Sequence, residues 1–382
     1  MICEEEDIYR CALNLCMRYE GGLARRLYDH YGSAKAVFKQ PVTELVQHKG
    51  FRRSIVENMQ NPELINMAQR ELQWVRKREI KMVFLYDDPY PARLRECCDA
   101  PLILYVSGSA DLNKGPFLSV VGTRSATPYG KAVCRNLIAG LRNLGIQPVI
   151  VSGLAFGIDI TAHLAAMENN LTTLAVLPAG LDRIYPATHK HIAMDITRQG
   201  ALISEFPSET PGNRHNFLQR NRIIAGLSDA TLVIESKKDG GALITAHLAC
   251  DYARDVLAVP GRPDDVCSQG CNNLIKNNKA ALVASAADIA GTMMWETISD
   301  QIKVQQQDLF TSLEGHEKQV YLQIKNQGGD INALAECLQI PFPVLSATLT
   351  TLQVKGLIET MQKQLNQKIL KLINRRQNNF YF

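Results

Sequence analysis

Between residues 81 and 296 the chain alternates short apolar runs, rich in β-branched residues, with stretches of helical periodicity. The runs are FLSVVG, PVIVSG, TLAVLP, ALISEFP, ATLVIES, DVLAVPG and AALVAS. Strands that are apolar on both faces and separated by helices are typical of parallel sheets covered on both sides. The pattern predicts an α/β fold with an extended Rossmann-like, doubly wound and mostly parallel sheet.

We expect the central domain at residues 81–296. The two ends of the chain differ from it in their pattern of apolar and polar residues. Residues 1–80 carry short helical patterns punctuated by glycine and proline, which indicates a small helical domain of helix-hairpin-helix or SAM-like type. Residues 297–313 are polar and rich in glutamine, as linkers are. Residues 314–382 show three helical patterns and then a hairpin pattern, which predicts a winged-helix-like domain.

Composition limits the class of protein only weakly. The formal net charge of the 382 residues is +4, so charge alone neither requires nor excludes nucleic acid. The ten cysteines include no CxxC pair and no Cys/His set at zinc spacing, so we expect no metal site. The sequence shows neither an export signal nor an apolar run of about 20 residues, and it favours a cytoplasmic protein without a membrane partner.

Glycines and hydroxyl side chains follow several of the predicted strands at the point where each strand ends. In a doubly wound sheet these positions face one crevice. Backbone N–H groups, helix N-termini and hydroxyl donors bind phosphate, and an arginine adds a bidentate cation. The candidate phosphate-binding positions are Gly122, Arg124, Ser125, Ser152, Gly153, Gly240 and Gly241. Each glycine alone also fits a tight βα turn, but the arginine and the hydroxyls add nothing to turn geometry.

The segment PGNRHNFLQRNRIIAGL carries a second set of candidates, on a helix expected to begin near Asn213. Arg214, Phe217 and Asn221 then share one face of this helix. A cation, an aromatic ring and an amide side by side suit a nucleotide, which offers a phosphate, a stacking face and a base edge. Arg222 of the RNRI sequence is a further candidate. The other interpretation, in which Phe217 is a core residue, stays open at this point.

No catalytic constellation emerges from the sequence. It lacks a Walker loop, a G-x-S-x-G elbow and the dinucleotide G-x-G-x-x-G pattern. Neither His163 nor His247 is paired with a nucleophile, and Asp159, Asp182 and Glu205 form no recognisable dyad. We therefore predict a protein that is not an enzyme, with no catalytic residues and no cofactor.

Ordered motifs in the central region match one protein family. They are VVGTRSATPYG, VSGLAFGIDITAH, LPAGLDRIYPATH, ISEFP, FLQRNRIIAGLSDATLVIE, GGALITA and GCNNLIKNNKAALV. Over roughly residues 85–295 the chain resembles the DNA processing protein A (DprA, also Smf) family, and its flanking domains fit that family's three-part layout. The resemblance implies a recombination mediator that binds single-stranded DNA in natural transformation, protects it and helps to load RecA. It also implies that Gly122 and Arg124 hold phosphate, and that Arg214 and Phe217 form a basic and aromatic pair.

The resemblance leaves further expectations and one alternative. Many relatives carry a basic residue after the YP of GLDxxYP, where this chain has Ala187, so Arg183 or Lys190 would supply that charge. The family dimerises through its Rossmann domain with RecA contacts nearby, here around SQGCNNLIKNNKA and the helix after Gly241. The alternative is a nucleotide-processing, phosphoribohydrolase-like enzyme on a related fold. It is disfavoured because SKKDGGALITAH lacks the glutamate of the PGGxGTxxE signature.

Overall fold

The computed structural model describes residues 2–17, 20–297, 313, 315–327, 329–354, 358–363 and 367–372. The chain divides into two compact units, Met1–Ile298 and Ser299–Phe382. Most of the predicted linker at 297–313 lies outside the described residues. We describe each unit by itself.

A nine-stranded sheet forms the centre of the first unit. Across the sheet the strand order is β1-β2-β6-β5-β4-β3-β7-β8-β9. The strands from β6 to β9 in this order are parallel, whereas β2 is antiparallel to both of its neighbours. The predicted doubly wound, mostly parallel sheet is therefore confirmed. Its strands are β1 (Lys81–Phe84), β2 (Ile103–Gly108), β3 (Phe117–Val121), β4 (Val149–Ser152), β5 (Thr173–Val176), β6 (Ala201–Ser204), β7 (Ala230–Val233), β8 (Asp255–Ala258) and β9 (Ala281–Leu282).

Helices cover both faces of this sheet because its strands are apolar on both sides. Along β3, Phe117 and Val121 belong to a buried cluster that includes the N-terminal helices, whereas Leu118 and Val120 belong to a second buried cluster on the other face of the sheet. Burying each such side chain stabilises the fold by about 1.5–3 kcal/mol. The helices of this unit are α1 (Ile2–Met17), α2 (Gly21–Tyr31), α3 (Ala34–Phe38), α4 (Val42–Leu45), α5 (Arg53–Met59), α6 (Leu64–Lys77), α7 (Ala92–Arg95), α8 (Pro128–Asn143), α9 (Ile158–Glu168), α10 (Lys190–Gln199), α11 (Arg214–Gly226), α12 (Gly241–Asp251), α13 (Gln269–Lys276) and α14 (Ala286–Thr292).

The N-terminal helices share a continuous core with one edge of the sheet. Leu13 of α1 and Leu72 of α6 lie in the same buried cluster as Phe84 of β1 and Ile103 of β2. Strands β1 and β2 were not among the predicted runs. They pair antiparallel around the short helix α7, so the alternation of strand and long helix that marks the parallel strands does not extend to them.

The described part of the second unit contains three helices and a three-stranded antiparallel sheet of order β10-β12-β11. Val320, Leu334 and Leu349 from the three helices share one buried cluster. The winged-helix assignment of this unit stays a prediction. Its elements are α15 (His316–Gln327), β10 (Gly329–Asp330), α16 (Ile331–Leu338), α17 (Phe342–Val354), β11 (Ile358–Lys363) and β12 (Gln367–Leu372).

Among the described helices, none is by itself long and apolar enough to cross a membrane. Helices α16 and α17 reach that length and composition only when taken together, and they are bent by 116° at the break between them.

Candidate nucleic-acid interface

The strand order reverses between β3 and β7, because the chain proceeds outward from β3 to β6 and then returns to the other side of β3. Doubly wound sheets bind ligands at such a switch point, outside the carboxyl ends of the strands. A cavity of about 510 Å³ opens here. We call it the switch-point crevice. The turn after β3, the loop after β7 and one side of α11 line it.

The turn between β3 and α8 contributes predicted phosphate-binding residues to the crevice. Gly122 and Arg124 line the crevice, and Ser125 is exposed directly after them. A Cβ at Gly122 would lie 2.4 Å from Cγ1 of Ile158, so only glycine allows this close approach of the turn to α9. Arg124 therefore lies on a turn whose backbone is held in place by close packing of Gly122 against Ile158.

The N-terminus of α8 is filled by a carboxylate of the protein itself. Glu235, which follows β7, accepts a hydrogen bond from the Thr127 N–H at 3.0 Å and another from the Thr127 hydroxyl. The Glu235 carbonyl also accepts from the Thr123 N–H at 2.8 Å. A dinucleotide pyrophosphate binds at the corresponding helix N-terminus in Rossmann folds. An anion in this crevice must therefore bind the turn and the loops beside α8 instead.

Phe217 lies half-buried among cations and rings in the crevice. The Arg124 guanidinium is 4.9 Å from the ring centroid and that of Arg220 is 5.8 Å from it. The Tyr185 ring meets Phe217 edge-on at 5.2 Å between centroids. Guanidinium groups are attracted to an aromatic face, so Phe217 and Arg124 hold each other in place. Phe217 thus lines the crevice beside a cation instead of lying in the core.

Arg220, which the sequence analysis did not select, is buried against the ends of two strands. Its Nη1 donates to the carbonyl of Gly153 at 2.6 Å and to that of Val176 at 2.5 Å. Burial lowers the pKa of Arg220 to about 10, although the nearby Asp159 opposes the shift. Burial likewise raises the pKa of Asp159, against the charge of Arg220 and backbone hydrogen bonds. Arg220 and Asp159 are thus two buried, oppositely charged groups in the lining of the crevice.

Helix α11 begins where the sequence predicts. Asn213 is its N-cap, and the Asn213 side chain accepts from the Asn216 N–H at 2.8 Å. Phe217 and Asn221 both line the crevice, as expected for residues one helical turn apart. Arg214 is exposed on the first turn of α11 and lies outside the crevice lining.

The structure directs the Ser152 and Arg222 side chains away from the crevice. The Ser152 hydroxyl is fully buried and donates to the Val120 carbonyl at 2.7 Å. The Arg222 guanidinium is buried and donates to the Glu205 carboxylate. Successive helical residues are about 100° apart, so Arg222 faces inward when Asn221 faces the crevice. Contrary to the prediction, neither side chain faces the crevice, so neither is placed to contact a ligand there.

The loop after β7 lines the opposite side of the crevice. The predicted residues Gly240 and Gly241 belong to this lining, together with the exposed side chains of Lys237 and Lys238. Neighbouring lysines are ordinary in solvated loops, so no sequence signal distinguishes these two as site residues. The crevice is lined by four cationic side chains, from these lysines, Arg124 and Arg220, against two carboxylates.

The residues around Ala187 lie outside the lining of the crevice. Ala187 is exposed at the start of a short 3₁₀ helix. The Arg183 Nε pairs with the Asp182 carboxylate at 3.2 Å, and Lys190 is exposed on the first turn of α10. That either cation replaces the basic residue of the relatives stays a prediction.

The acids considered as catalytic candidates each lie beside an arginine. The neighbours are Asp159 with Arg220, Asp182 with Arg183 and Glu205 with Arg222. Within the described ranges, no group of three or more His, Cys, Asp or Glu side chains is arranged to hold a metal ion.

Comparison with known sequences agrees with the family resemblance. A family model described as DNA recombination-mediator protein A matches residues 81–294. The chain is 43% identical over 206 residues to DNA processing protein DprA of Streptococcus pneumoniae, a match that covers 54% of this chain and 71% of that protein. Among the curated relatives described as DprA or Smf, the matched stretches span 57% to 73% of their own length.

Comparison with solved structures gives the same family. The X-ray structure of DprA from S. pneumoniae has a TM-score of 0.65 and 32% identity, covering 73% of this chain and 95% of that one. DprA from Helicobacter pylori, whose structure was described for its single-stranded DNA binding mode, has a TM-score of 0.51 and 28% identity, covering 57% and 97%. Because the family model spans every strand of the sheet that builds the crevice, the chain belongs to the DNA recombination-mediator protein A family.

Proposed function

We propose that this protein binds single-stranded DNA in the switch-point crevice, protects it during natural transformation and helps to load RecA onto it. The observation that carries the proposal is the contact between Arg124 and Phe217, which brings a cation suited to phosphate and an aromatic ring together in the crevice. The protein acts by binding and positioning the strand, without catalysis.

Charge in the crevice suits the backbone of a strand. Arg220 and Asp159 neighbour each other as buried groups of opposite charge, so Arg124, Lys237 and Lys238 remain as the exposed cations. An arginine fork binds two phosphate oxygens at once, whereas lysines act as mobile point charges. We infer that these three side chains hold phosphates along the strand, with Gly122 and the Gly240–Gly241 backbone beside them.

Stacking on Phe217 supplies the sequence-independent contact with a base. Stacking of this kind contributes roughly 1–3 kcal/mol per base and tolerates every base, because each has a π-face. Asn221 lies one turn further along α11 in the same lining, where its amide can meet a base edge. Arg214, exposed one turn before Phe217, would meet the strand where it leaves the crevice.

The filled N-terminus of α8 favours a strand over a dinucleotide. A cofactor such as NAD places its pyrophosphate at this helix N-terminus, where the Glu235 carboxylate already accepts hydrogen bonds from Thr127. A second negative group there would meet repulsion. A polynucleotide avoids this position, because its phosphates can run along the exposed cations instead.

Fluorescence anisotropy with labelled oligo-dT, titrated at several salt concentrations, tests this function. About three phosphate contacts predict that log K falls with log salt at a slope of about −2 for a single strand. We expect duplex of equal length to bind more weakly, because its bases cannot reach Phe217. Binding that is weak and independent of salt, or equal for duplex and single strand, would overturn the proposal.

The phosphoribohydrolase alternative makes a separate prediction at the same crevice. Asp159 is its candidate acid, because it lines the crevice and its pKa is raised by burial. Incubation with each nucleoside 5′-monophosphate, followed by chromatography, would then release free base. We expect none, and release that is lost in Asp159→Asn would establish the enzyme instead.

The family resemblance also leads us to propose a homodimer through the Rossmann-like domain, with RecA bound near the same surface. Helix α12 exposes Ile244, and the edge strand β9 exposes Leu282. Light scattering after size exclusion should show Ile244→Glu shifted towards monomer, whereas the matched change Met194→Glu, at an exposed position of α10, should leave the mass unchanged. RecA filament formation on the strand, with and without the protein, tests the loading step.

A further inference from the structure

Two aromatic rings are exposed just outside the lining of the switch-point crevice. Phe156 and Tyr185 are each 48% exposed. Phe156 directly follows Ala155, a residue of the crevice lining, in the loop after β4, and Tyr185 lies in the segment after the neighbouring strand β5. Single exposed apolar residues are ordinary on a protein surface. Two rings at the ends of neighbouring strands, beside a candidate binding site, indicate an interaction surface.

Phe156 is held by contacts on both sides of it along the chain. Its ring is in edge-to-face contact with the ring of His189, at 4.9 Å between centroids. His189 is buried, and its Nδ1–H donates to the Leu154 carbonyl at 2.9 Å. The Ile158 N–H donates to the carbonyl of Thr123, in the turn after β3, at 3.2 Å. The loop after β4 is therefore joined to the turn after β3 and to the segment after β5, so Phe156 needs little ordering when it binds.

Tyr185 continues the aromatic surface of the crevice. Its ring is in edge-to-face contact with Phe217, at 5.2 Å between centroids and with 74° between the ring planes. A base stacked on Tyr185 is therefore steeply inclined to a base stacked on Phe217, and the two bases cannot stay stacked on each other. A single strand can turn its bases apart in this way, whereas the bases of a duplex are held in stacked pairs.

The charges around Tyr185 suit a nucleic-acid strand. Arg183 and Lys190, before and after Tyr185 in the chain, are both exposed. The carboxylate of this segment, Asp182, accepts from the Arg183 Nε at 3.2 Å and from the Glu209 N–H at 3.0 Å. A phosphate beside the rings would thus meet an exposed lysine and a carboxylate that is already engaged.

We propose that Tyr185 and Phe156 are two further stacking platforms, over which a single strand extends when it is held in the switch-point crevice. This inference rests on the proposed function, because the crevice must first hold the strand. The steep angle between the rings of Tyr185 and Phe217 separates neighbouring bases, and this favours a single strand over a duplex. The surface takes any base sequence, because every base has a π-face.

The length of the bound strand tests the proposal. Labelled oligo-dT of about 4 to 16 nucleotides spans the usual site sizes of single-strand binding domains. In anisotropy titrations of the full-length protein we expect affinity to rise with length until the strand covers the crevice and both rings. The double variant Phe156→Ala/Tyr185→Ala should stop gaining affinity at a shorter length. It should bind the long strands about 30-fold or more weakly, with an unchanged salt slope. Equal affinities of the two proteins at every length would overturn the proposal.

Matched variants separate stacking from an indirect effect. Tyr185 contacts Phe217, so a loss in Tyr185→Ala alone would also follow from displacement of that ring. Phe156→Ala removes a ring that contacts His189 instead, and Tyr185→Phe keeps the platform and should bind as the wild type does. Tyr86→Ala removes an exposed ring that stacks on Tyr28 of the N-terminal helices, and should leave binding unchanged. Equal weakening by Phe156→Ala and Tyr86→Ala would contradict the platforms.

Photo-crosslinking shows directly which rings meet bases. Oligonucleotides that carry 5-iodouracil at single positions are irradiated with the protein, and mass spectrometry locates the crosslinked residue. We expect crosslinks at Phe156 and Tyr185 with long strands, and crosslinks at Phe217 alone would overturn the proposal. Binding that depends on Arg124 and Phe217 but at no length on Phe156 or Tyr185 would reject the two platforms and leave the proposed function intact. Absence of salt-dependent binding by the wild type would reject both.

Discussion

The Glu235 carboxylate accepts hydrogen bonds from both the backbone N–H and the hydroxyl of Thr127, at the first turn of α8. The two residues are 108 positions apart in the chain. A carboxylate at a helix N-terminus stabilises the helix by about 0.3–2 kcal/mol, depending on burial. The contact occupies the anion site that a nucleotide-binding Rossmann domain leaves open, so in the proposed complex the phosphates of the strand would lie against the neighbouring loops.

The glycine beside this contact provides a test of it. A Cβ at Gly130 would lie 2.2 Å from Cδ of Glu235 and would displace the carboxylate. We expect Gly130→Ala to lower the free energy of unfolding by about 2 kcal/mol or more. The matched change is Gly291→Ala in α14, where a Cβ meets nothing within 4 Å, and it should stabilise by up to about 1 kcal/mol. Urea unfolding followed by circular dichroism measures both, and a similar gain in the two variants would rule the contact out.

Arg124→Ala should weaken single-strand binding and make its salt dependence shallower. One lost phosphate contact reduces the slope of log K against log salt by about 0.7. Arg135→Ala removes a cation from the exposed side of α8, away from the crevice lining, and should leave the slope unchanged. Anisotropy titrations of the wild type, Arg124→Ala and Arg135→Ala with oligo-dT at several salt concentrations measure the three slopes. A wild-type slope in Arg124→Ala would refute the phosphate role.

Phe217→Ala should weaken binding without changing the salt slope, because stacking releases no counterions. The expected loss is about 1–3 kcal/mol of binding free energy. Phe217→Tyr keeps a stacking face and should retain most of the affinity. The same anisotropy titrations give the affinity and the salt slope of each variant. A shallower slope in Phe217→Ala would mean that the ring acts only by positioning Arg124, which lies 4.9 Å from its centroid.

The sequence predicts the sheet well because each parallel strand is a continuous apolar run followed by a helix. It also predicts that Gly122 and Arg124 lie in the crevice, since residues after parallel strands must meet at one edge of the sheet, whereas their contact with phosphate stays a prediction. Helical spacing predicts that Phe217 and Asn221 share one face of α11, and both line the crevice, although spacing alone does not exclude a core position for Phe217. These predictions depend only on residues that are close together in the sequence, and the structure agrees with them on where the residues lie.

Local rules fail where a contact joins distant parts of the chain. Nothing near Glu235 indicates that its carboxylate reaches Thr127, and nothing near Arg220 indicates that it donates to carbonyls at the ends of β4 and β5. Arg222 was misplaced because a rotation of one residue along α11 turns a side chain from the crevice into the protein.

Arg222→Ala should therefore affect stability and leave DNA binding intact. Its loss leaves the buried Glu205 carboxylate without its cation, which typically costs about 3–5 kcal/mol. Arg198→Ala breaks an exposed pair with Asp195 and should cost no more than about 1 kcal/mol. Urea unfolding measures the cost, and anisotropy on the folded fraction measures DNA affinity. A large loss of affinity at unchanged stability would restore Arg222 as a DNA contact.

His163 is held neutral in the core by a fixed hydrogen-bond chain. The Thr173 hydroxyl donates to the Ile150 carbonyl at 2.9 Å, so it accepts from the Nδ1–H of His163 at 2.7 Å. Burial, and next to it the charge of Arg220, lowers the pKa of His163 to about 3. The unfolded chain binds this proton near pH 6.5. Between these two values the unfolded state therefore holds the additional proton.

The free energy of unfolding should consequently fall as the pH is lowered from about 6.5, by up to about 1.4 kcal/mol per pH unit from this group. His163→Gln removes the contribution, so its stability should decline less between pH 7 and pH 5 than that of the wild type. Asp159 and Glu205, whose pKa values burial raises, act in the opposite direction but are present in both proteins. His247→Gln, at an exposed position, should behave as the wild type. Urea unfolding at both pH values gives the comparison, and parallel declines for wild type and His163→Gln would show that His163 does not control acid stability.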